Sequence, residues 1–188
     1  MLLKRDKLRI QIEKILRVLG AYKSYKDIGA TPVKRLVFIC SGNICRSAYG
    51  EAYAKTKGIE AVSFGVHCPD GDPANERMMK TSAKQHILLD NHRTMSMTSH
   101  EARPGDLIVA VDKKHVDIIR KEQPSSVDNS AILLGLFAKD SRATIIDPYG
   151  RPEVFFDDTV DDIKYAVDEL VRHLQTHPIT DHMQRSEI

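Results

Sequence analysis

Two of the chain's three cysteines, Cys40 and Cys45, share the short stretch VFICSGNICRSAYG with Ser41, Gly42, Asn43, Ile44, Arg46 and Ser47. These residue types at this spacing suit nucleophilic attack on an oxyanion. A cysteine at the mouth of a loop leading into a helix faces unpaired amides and the positive end of the helix dipole. Such surroundings, with a guanidinium nearby, bring a thiol from about 8.5 into the range of roughly 3.5 to 7.5. Arg46 can grip two phosphate oxygens in a planar fork. Gly42 and Asn43 tolerate the backbone angles that a cradle demands, and Ser47 can set a hydroxyl on the sulfur or on the loop. Competing chemistries fit less well. A cysteine ending a buried strand is commonly a small core hydrophobe. Four residues separate Cys40 from Cys45, so the redox spacing of two is absent. Zinc needs about four ligands, yet the eight histidines are scattered and Cys68 is the only other sulfur ligand. No Gly-Lys-Ser/Thr follows the loop, which excludes a nucleotide-binding phosphate loop of that type. No metal and no cofactor are expected.

The elements that must position these residues alternate. RLVFIC (35–40) is an unbroken apolar run, as expected of a strand buried on both faces. RSAYGEAYAKTKG reads as a helix ending at Gly58, and IEAVSFGV as a second strand. PANERMMKTSAKQHIL reads as a helix opened by Asp72 and Pro73. DLIVAVD is a third strand, and KKHVDIIRKEQ a helix stopped by Pro124. ATIID (143–147) is the expected fourth strand, DPYGRP a loop, and DDTVDDIKYAVDELVRHLQ a long helix. The alternation predicts an α/β fold with a four-stranded parallel sheet and helices on both faces. Ligands bind such sheets at the carboxyl ends of the strands, where both CSGNICRS and DPYG fall.

VFICSGNICRS resembles the active-site signature of the low-molecular-weight protein tyrosine phosphatases, C-x-G-N-x-C-R-S after a buried strand. The likeness runs from about Val33 to about Gln175 and includes Ser63, Gly65 and the DPYG loop. It implies a metal-free protein phosphatase that hydrolyses phosphotyrosine through a phosphocysteine. On that pattern Cys40 is the nucleophile, Arg46 and the loop amides bind the phosphate oxygens, and Asp147 is the acid and then the base. Taken without the cysteine loop, Asp147 reads as a solvated carboxylate starting a turn. Asn43 and Ser47 would shape the loop, with Ser63 tying it to the second strand. Tyr149 would wall the substrate slot, while Val66 and His67 read as slot lining or as plain surface. Cys45 is either a buried spacer or a partner trapping oxidised Cys40 as a regulatory disulfide. Ile44 stands where related phosphoarginine phosphatases resemble one another in carrying Thr, which favours phosphotyrosine and leaves phosphoarginine as the alternative. An arsenate reductase would need cysteines downstream of Cys68, and there are none; a non-catalytic phosphate-binding module would not need both Cys40 and Asp147. Two departures stand out: Ala48 replaces the usual Pro, and Gly150 follows Tyr149 where a second aromatic is common.

Residues 1–32 have no counterpart in the minimal family domain, taken as 33–175, and 176–188 read as a polar tail. Leu8, Ile12, Ile15 and Leu19 recur at helical spacing. Up to Gly20 six basic residues (Lys4, Arg5, Lys7, Arg9, Lys14, Arg17) face Asp6 and Glu13. This basic amphipathic helix is expected to pack on the domain or on a second subunit, with a membrane or partner contact as the other reading. A net charge of +2 in 188 residues gives no whole-molecule field for nucleic acid. Three cysteines make no disulfide framework, and neither a spanning run nor a secretory leader is legible. A cytoplasmic protein acting on phosphotyrosine-containing proteins is the expectation.

Overall fold

The computed structural model describes residues 4–29, 32–122 and 131–176. Four parallel strands form one sheet: β1 Arg35–Cys40, β2 Ala61–Gly65, β3 Asp106–Ala110 and β4 Ala131–Leu133, in the order β2-β1-β3-β4. Among the described residues five α-helices accompany it: α1 Lys4–Val18, α2 Arg46–Thr56, α3 Glu76–Ala83, α4 Lys113–Glu122 and α5 Glu153–Thr176. All six residues of β1 are buried, which is why its sequence shows no polar alternation. Phe38, Leu36 and Ile39 are fully buried there, each contributing about 1.5–3 kcal/mol of burial. At its start Arg35 forks onto Asp106 of β3, with Nε to Oδ1 at 2.7 Å and Nη2 to Oδ2 at 2.6 Å. α2 lies against β1, β2 and α5. The approach is close because Gly50 has no side chain: a Cβ there would stand 2.7 Å from the Phe38 ring.

The chain winds from β1 outward to β2, then returns to place β3 on the other side of β1. That reversal opens a crevice at the carboxyl ends of β1 and β3, the usual ligand position in such sheets. Cys40 ends β1 there, in register with Gly65 of β2.

Several boundaries differ from the sequence reading. The fourth strand is Ala131–Leu133, not 143–147. Ala143–Ile146 is buried, but it meets the end of β3 through Ile145 N–H to the Val111 carbonyl rather than joining the sheet as a strand. Apolar runs of this length report burial without specifying ladder pairing. α3 starts at Glu76 because Asn75, not Asp72, caps it, accepting from the Arg77 and Met78 amides; such a cap contributes about 1 kcal/mol. α5 begins at Glu153 and its last residue is Thr176, where the tail was expected to start; the remainder of that tail, 177–188, lies outside the described residues. No helix among the described residues is long and apolar enough to cross a membrane.

α1 does pack on the domain, but by the face opposite to the expected one. Asp6, Ile10 and Glu13 are buried, whereas Leu8, Ile15 and Leu19 are 64%, 61% and 75% exposed. The physical reason is complementarity: the domain meets the helix with an arginine, a threonine hydroxyl and a small apolar patch.

Candidate active site

The loop between β1 and α2 is built around Asn43. Its backbone is left-handed (φ 51°), a conformation that asparagine accepts more readily than most residues. This turn directs the Asn43 amide at Cys40 Sγ, 3.2 Å away. The Asn43 side chain is fully engaged: Nδ2 donates to Ser47 Oγ at 2.9 Å and Ser63 Oγ at 2.8 Å, and Oδ1 accepts from the Met95 amide at 2.9 Å. Ser47 Oγ stands 3.0 Å from Cys40 Sγ. With Asn43 donating to that oxygen, the Ser47 hydrogen is free to point at the sulfur. Ser63 Oγ passes its own hydrogen to Glu51 Oε2 at 2.6 Å. The chain of hydrogen bonds therefore runs from Glu51 of α2 and Ser63 of β2 through Asn43 to Ser47, and the Asn43 amide and the Ser47 hydroxyl face the sulfur.

α2 begins at Arg46 with Cys45 as its N-cap, and the Cys45 side chain makes no capping bond. The first-turn amides are consequently left without a side-chain acceptor at the loop's mouth. Arg46 is buried; its Nη1 donates to the Ile145 carbonyl at 3.3 Å and its Nη2 to Asp147 Oδ2 at 2.5 Å. Its Nε is buried without a hydrogen-bond partner among the described residues, a donor with room for one more acceptor. Asp147 is itself 41% exposed on a turn, where its Oδ1 accepts from the Tyr149 amide at 3.2 Å. One guanidinium thus joins the cysteine loop to a carboxylate 101 residues downstream.

The structure gathers Cys40, Ser41, Gly42, Asn43, Ile44, Cys45, Arg46, Ser47, Ser63 and Asp147 around this crevice. Tyr149 follows Asp147 on the same turn and is exposed. The Val66 and His67 amides donate to the Cys40 and Ser41 carbonyls at 3.0 and 2.9 Å, so both shore up the loop by their backbone. Gly65 has to be glycine, since a Cβ would lie 2.8 Å from the Ser41 carbonyl oxygen. Burial, helped by the charge of Cys40, pushes the Cys45 thiol well up.

Three residues escaped the sequence reading. His92 Nε2 donates to the Asn43 carbonyl at 2.6 Å and holds the left-handed turn from behind. His115, on α4, sets Nε2 3.1 Å from Ser41 Oγ; burial and then the Arg46 charge push its pKa down to about 2, so it stays neutral. Glu51 receives the Ser63 hydroxyl. Isolated histidines and a mid-helix glutamate carry no local signal, because only the fold brings them to the loop.

Residues 35–179 match the family profile described as low molecular weight phosphotyrosine protein phosphatase. The chain is 28% identical to the low molecular weight protein-tyrosine-phosphatase Etp of Escherichia coli K12 over 141 residues, 74% of this chain and 93% of that one. It is also 28% identical to a protein-arginine-phosphatase of Geobacillus stearothermophilus over 145 residues, 76% of this chain and 97% of the other. Among solved structures, the tyrosine phosphatase Wzb of Escherichia coli K30 in complex with sulphate superposes with a TM-score of 0.69 at 28% identity, covering 76% of this chain and 99% of Wzb. With its thiol loop, its arginine and its four-stranded parallel sheet, the chain belongs to the low molecular weight phosphotyrosine protein phosphatase family and is a cysteine-dependent phosphatase.

Proposed function

We propose that this protein hydrolyses phosphotyrosine in other proteins through a phosphocysteine intermediate, with residues 33–175 as the catalytic unit. The observation that carries the reading is the single guanidinium of Arg46, which spans from the thiol loop to Asp147. Cys40 attacks phosphorus as the anion, an S–P bond forms, and the bond from phosphorus to the phenolic oxygen breaks. The loop amides and the free Arg46 Nε–H meet the equatorial oxygens, where fixed donors are most effective. An incoming phosphate competes for the guanidinium and releases the Asp147 carboxylate; once it has taken up a proton from solvent, the resulting carboxylic acid protonates the departing phenolate. Asp147 then takes a proton from water as that water attacks phosphorus, and the thiolate leaves.

Phosphotyrosine is favoured over phosphoarginine by two residues at the rim. Ile44 is apolar where a hydroxyl would suit a guanidine nitrogen, and exposed Tyr149 offers a ring face to an aryl group. The arginine-phosphatase relative keeps the second substrate worth testing. On a panel of phosphotyrosine, phosphoarginine and phosphoserine peptides, we expect kcat/KM for phosphotyrosine to exceed the others by at least about tenfold, as loss of a shaped contact commonly costs. Faster phosphoarginine turnover would reverse the assignment. The three unpaired thiols fit a reducing, cytoplasmic setting.

The outward face of α1 is read as a contact for anionic membrane. Leu8, Ile12, Ile15 and Leu19 are exposed, and the exposed charges on α1 (Lys4, Arg5, Lys7, Arg9, Arg17) are all positive, while both acids are buried. A second copy would bring like charge against like, which disfavours self-association. Vesicles rich in phosphatidylserine should carry the full chain upward in a flotation gradient, and Ile12→Glu/Ile15→Glu should abolish this. Equal flotation of both proteins would remove the membrane reading, as would a salt-resistant dimer lost in the same variant.

A further inference from the structure

The inward face of α1 touches the domain on both sides of Asp147. Before it, Thr144 donates its hydroxyl to Glu13 Oε1 at 2.6 Å and accepts from Arg9 Nη2 at 2.8 Å. Ile146, the residue adjoining Asp147, forms a separate buried apolar cluster with Ile10 of α1 and Phe155. After it, Arg151 makes a two-pronged pair with Asp6, its Nη2 to Oδ1 at 3.1 Å. The Arg151 amide closes the turn onto the Pro148 carbonyl at 3.0 Å, so the ion pair holds the far end of the very turn that presents Asp147. Arg9 also reaches Asp112 Oδ2 at 2.9 Å, just beyond β3.

The catalytic domain's own hold on this segment is uneven. Upstream, Ile145 N–H bonds the Val111 carbonyl and Thr159 Oγ1 bonds the Ile146 carbonyl at 3.1 Å. Asp147 itself pairs with Arg46 of α2; downstream of it Tyr149 and Gly150 are exposed, and the far end of the turn is tied to other elements through Arg151, by its side chain to Asp6 and by its carbonyl to Arg77 at 3.0 Å. A carboxyl that must deliver a proton needs its geometry held to within a fraction of an ångström.

We propose that α1 positions the general acid: Asp6 acting through Arg151, and Ile10 acting through Ile146, hold Asp147 where it can reach the leaving oxygen. The proposal rests on the acid role of Asp147. α1 is accordingly part of the working enzyme, although the minimal catalytic domain does not contain it.

The test uses the full chain and two substrates of different leaving group. Phenyl phosphate expels a phenolate whose conjugate acid has a pKa of about 10, so its departure depends on the acid. p-Nitrophenyl phosphate expels a stabilised anion that needs far less protonation. Asp6→Asn should lower kcat/KM for phenyl phosphate about tenfold and for p-nitrophenyl phosphate less than about twofold. Ile10→Ala should act in the same direction, and Asp6→Glu should restore most of the loss. In an Asp147→Asn background, Asp6→Asn should add no further selective loss. An equal loss on both substrates, or none, overturns the positioning role. If Asp147→Asn itself fails to discriminate the two substrates, the acid assignment falls and the proposal with it. If Asp147→Asn discriminates and Asp6→Asn does not, only the proposal falls.

Discussion

Cys40→Ser should turn over no p-nitrophenyl phosphate above background, a loss of at least about 10⁴-fold in kcat, as removal of a covalent nucleophile costs elsewhere. A serine hydroxyl in the same place is neutral at pH 7, and the Asn43 amide and Ser47 hydroxyl that face the sulfur cannot make it an anion. Binding should survive, because Arg46 and the α2 amides are untouched; inorganic phosphate should still protect the variant against heat. In the parent protein, rapid quench should trap a phosphorylated cysteine preceding steady state, and the variant should trap no phosphocysteine. Residual activity above about 1% in reduced, purified Cys40→Ser would remove Cys40 as nucleophile.

Arg46→Lys keeps the charge and should still lose about 10²–10³ in kcat/KM, the scale of removing a fixed donor to a developing oxyanion. The guanidinium does three things from one buried position: it meets the Ile145 carbonyl, pairs with Asp147 and holds Nε without a partner. A lysine ammonium is a point charge and cannot serve two oxygens in a plane while reaching a third group. Steady-state kinetics at saturating and limiting substrate check this, alongside a melting curve showing that the variant is folded. Activity within about tenfold of the parent would show that charge alone, not the planar fork, carries phosphate binding.

The helix reading fared differently at its two levels. Leu8, Ile12 and Ile15 do lie along one stripe of α1, with Leu19 directly after its end, as periodicity indicates. Which stripe faces the domain was decided by partners that periodicity ignores, an arginine at position 151 and a hydroxyl at 144. A hydrophobic pattern states where apolar side chains gather; it does not state whether the neighbouring surface is apolar. The misplaced fourth strand has a related cause. Ala143–Ile146 and Ala131–Leu133 are both short buried apolar runs, and only the available edge of β3 selects between them.

The loop chemistry was legible in order along the chain, because consecutive residues build it: a strand must end, a turn must form, and a helix must expose its first amides. Cys40, Asn43, Arg46 and Ser47 are therefore readable within a span of eight residues. Distant partners are of another kind. His92 behind the Asn43 carbonyl, His115 beside Ser41, Glu51 beneath Ser63 and Asp6 at the Asp147 turn are brought close by parallel crossovers and helix docking. Short-range patterns encode backbone conformation, since sterics and hydrogen bonding act between neighbours. Which remote side chain completes a charge or a hydrogen bond is settled when the sheet, its crossovers and α1 pack together.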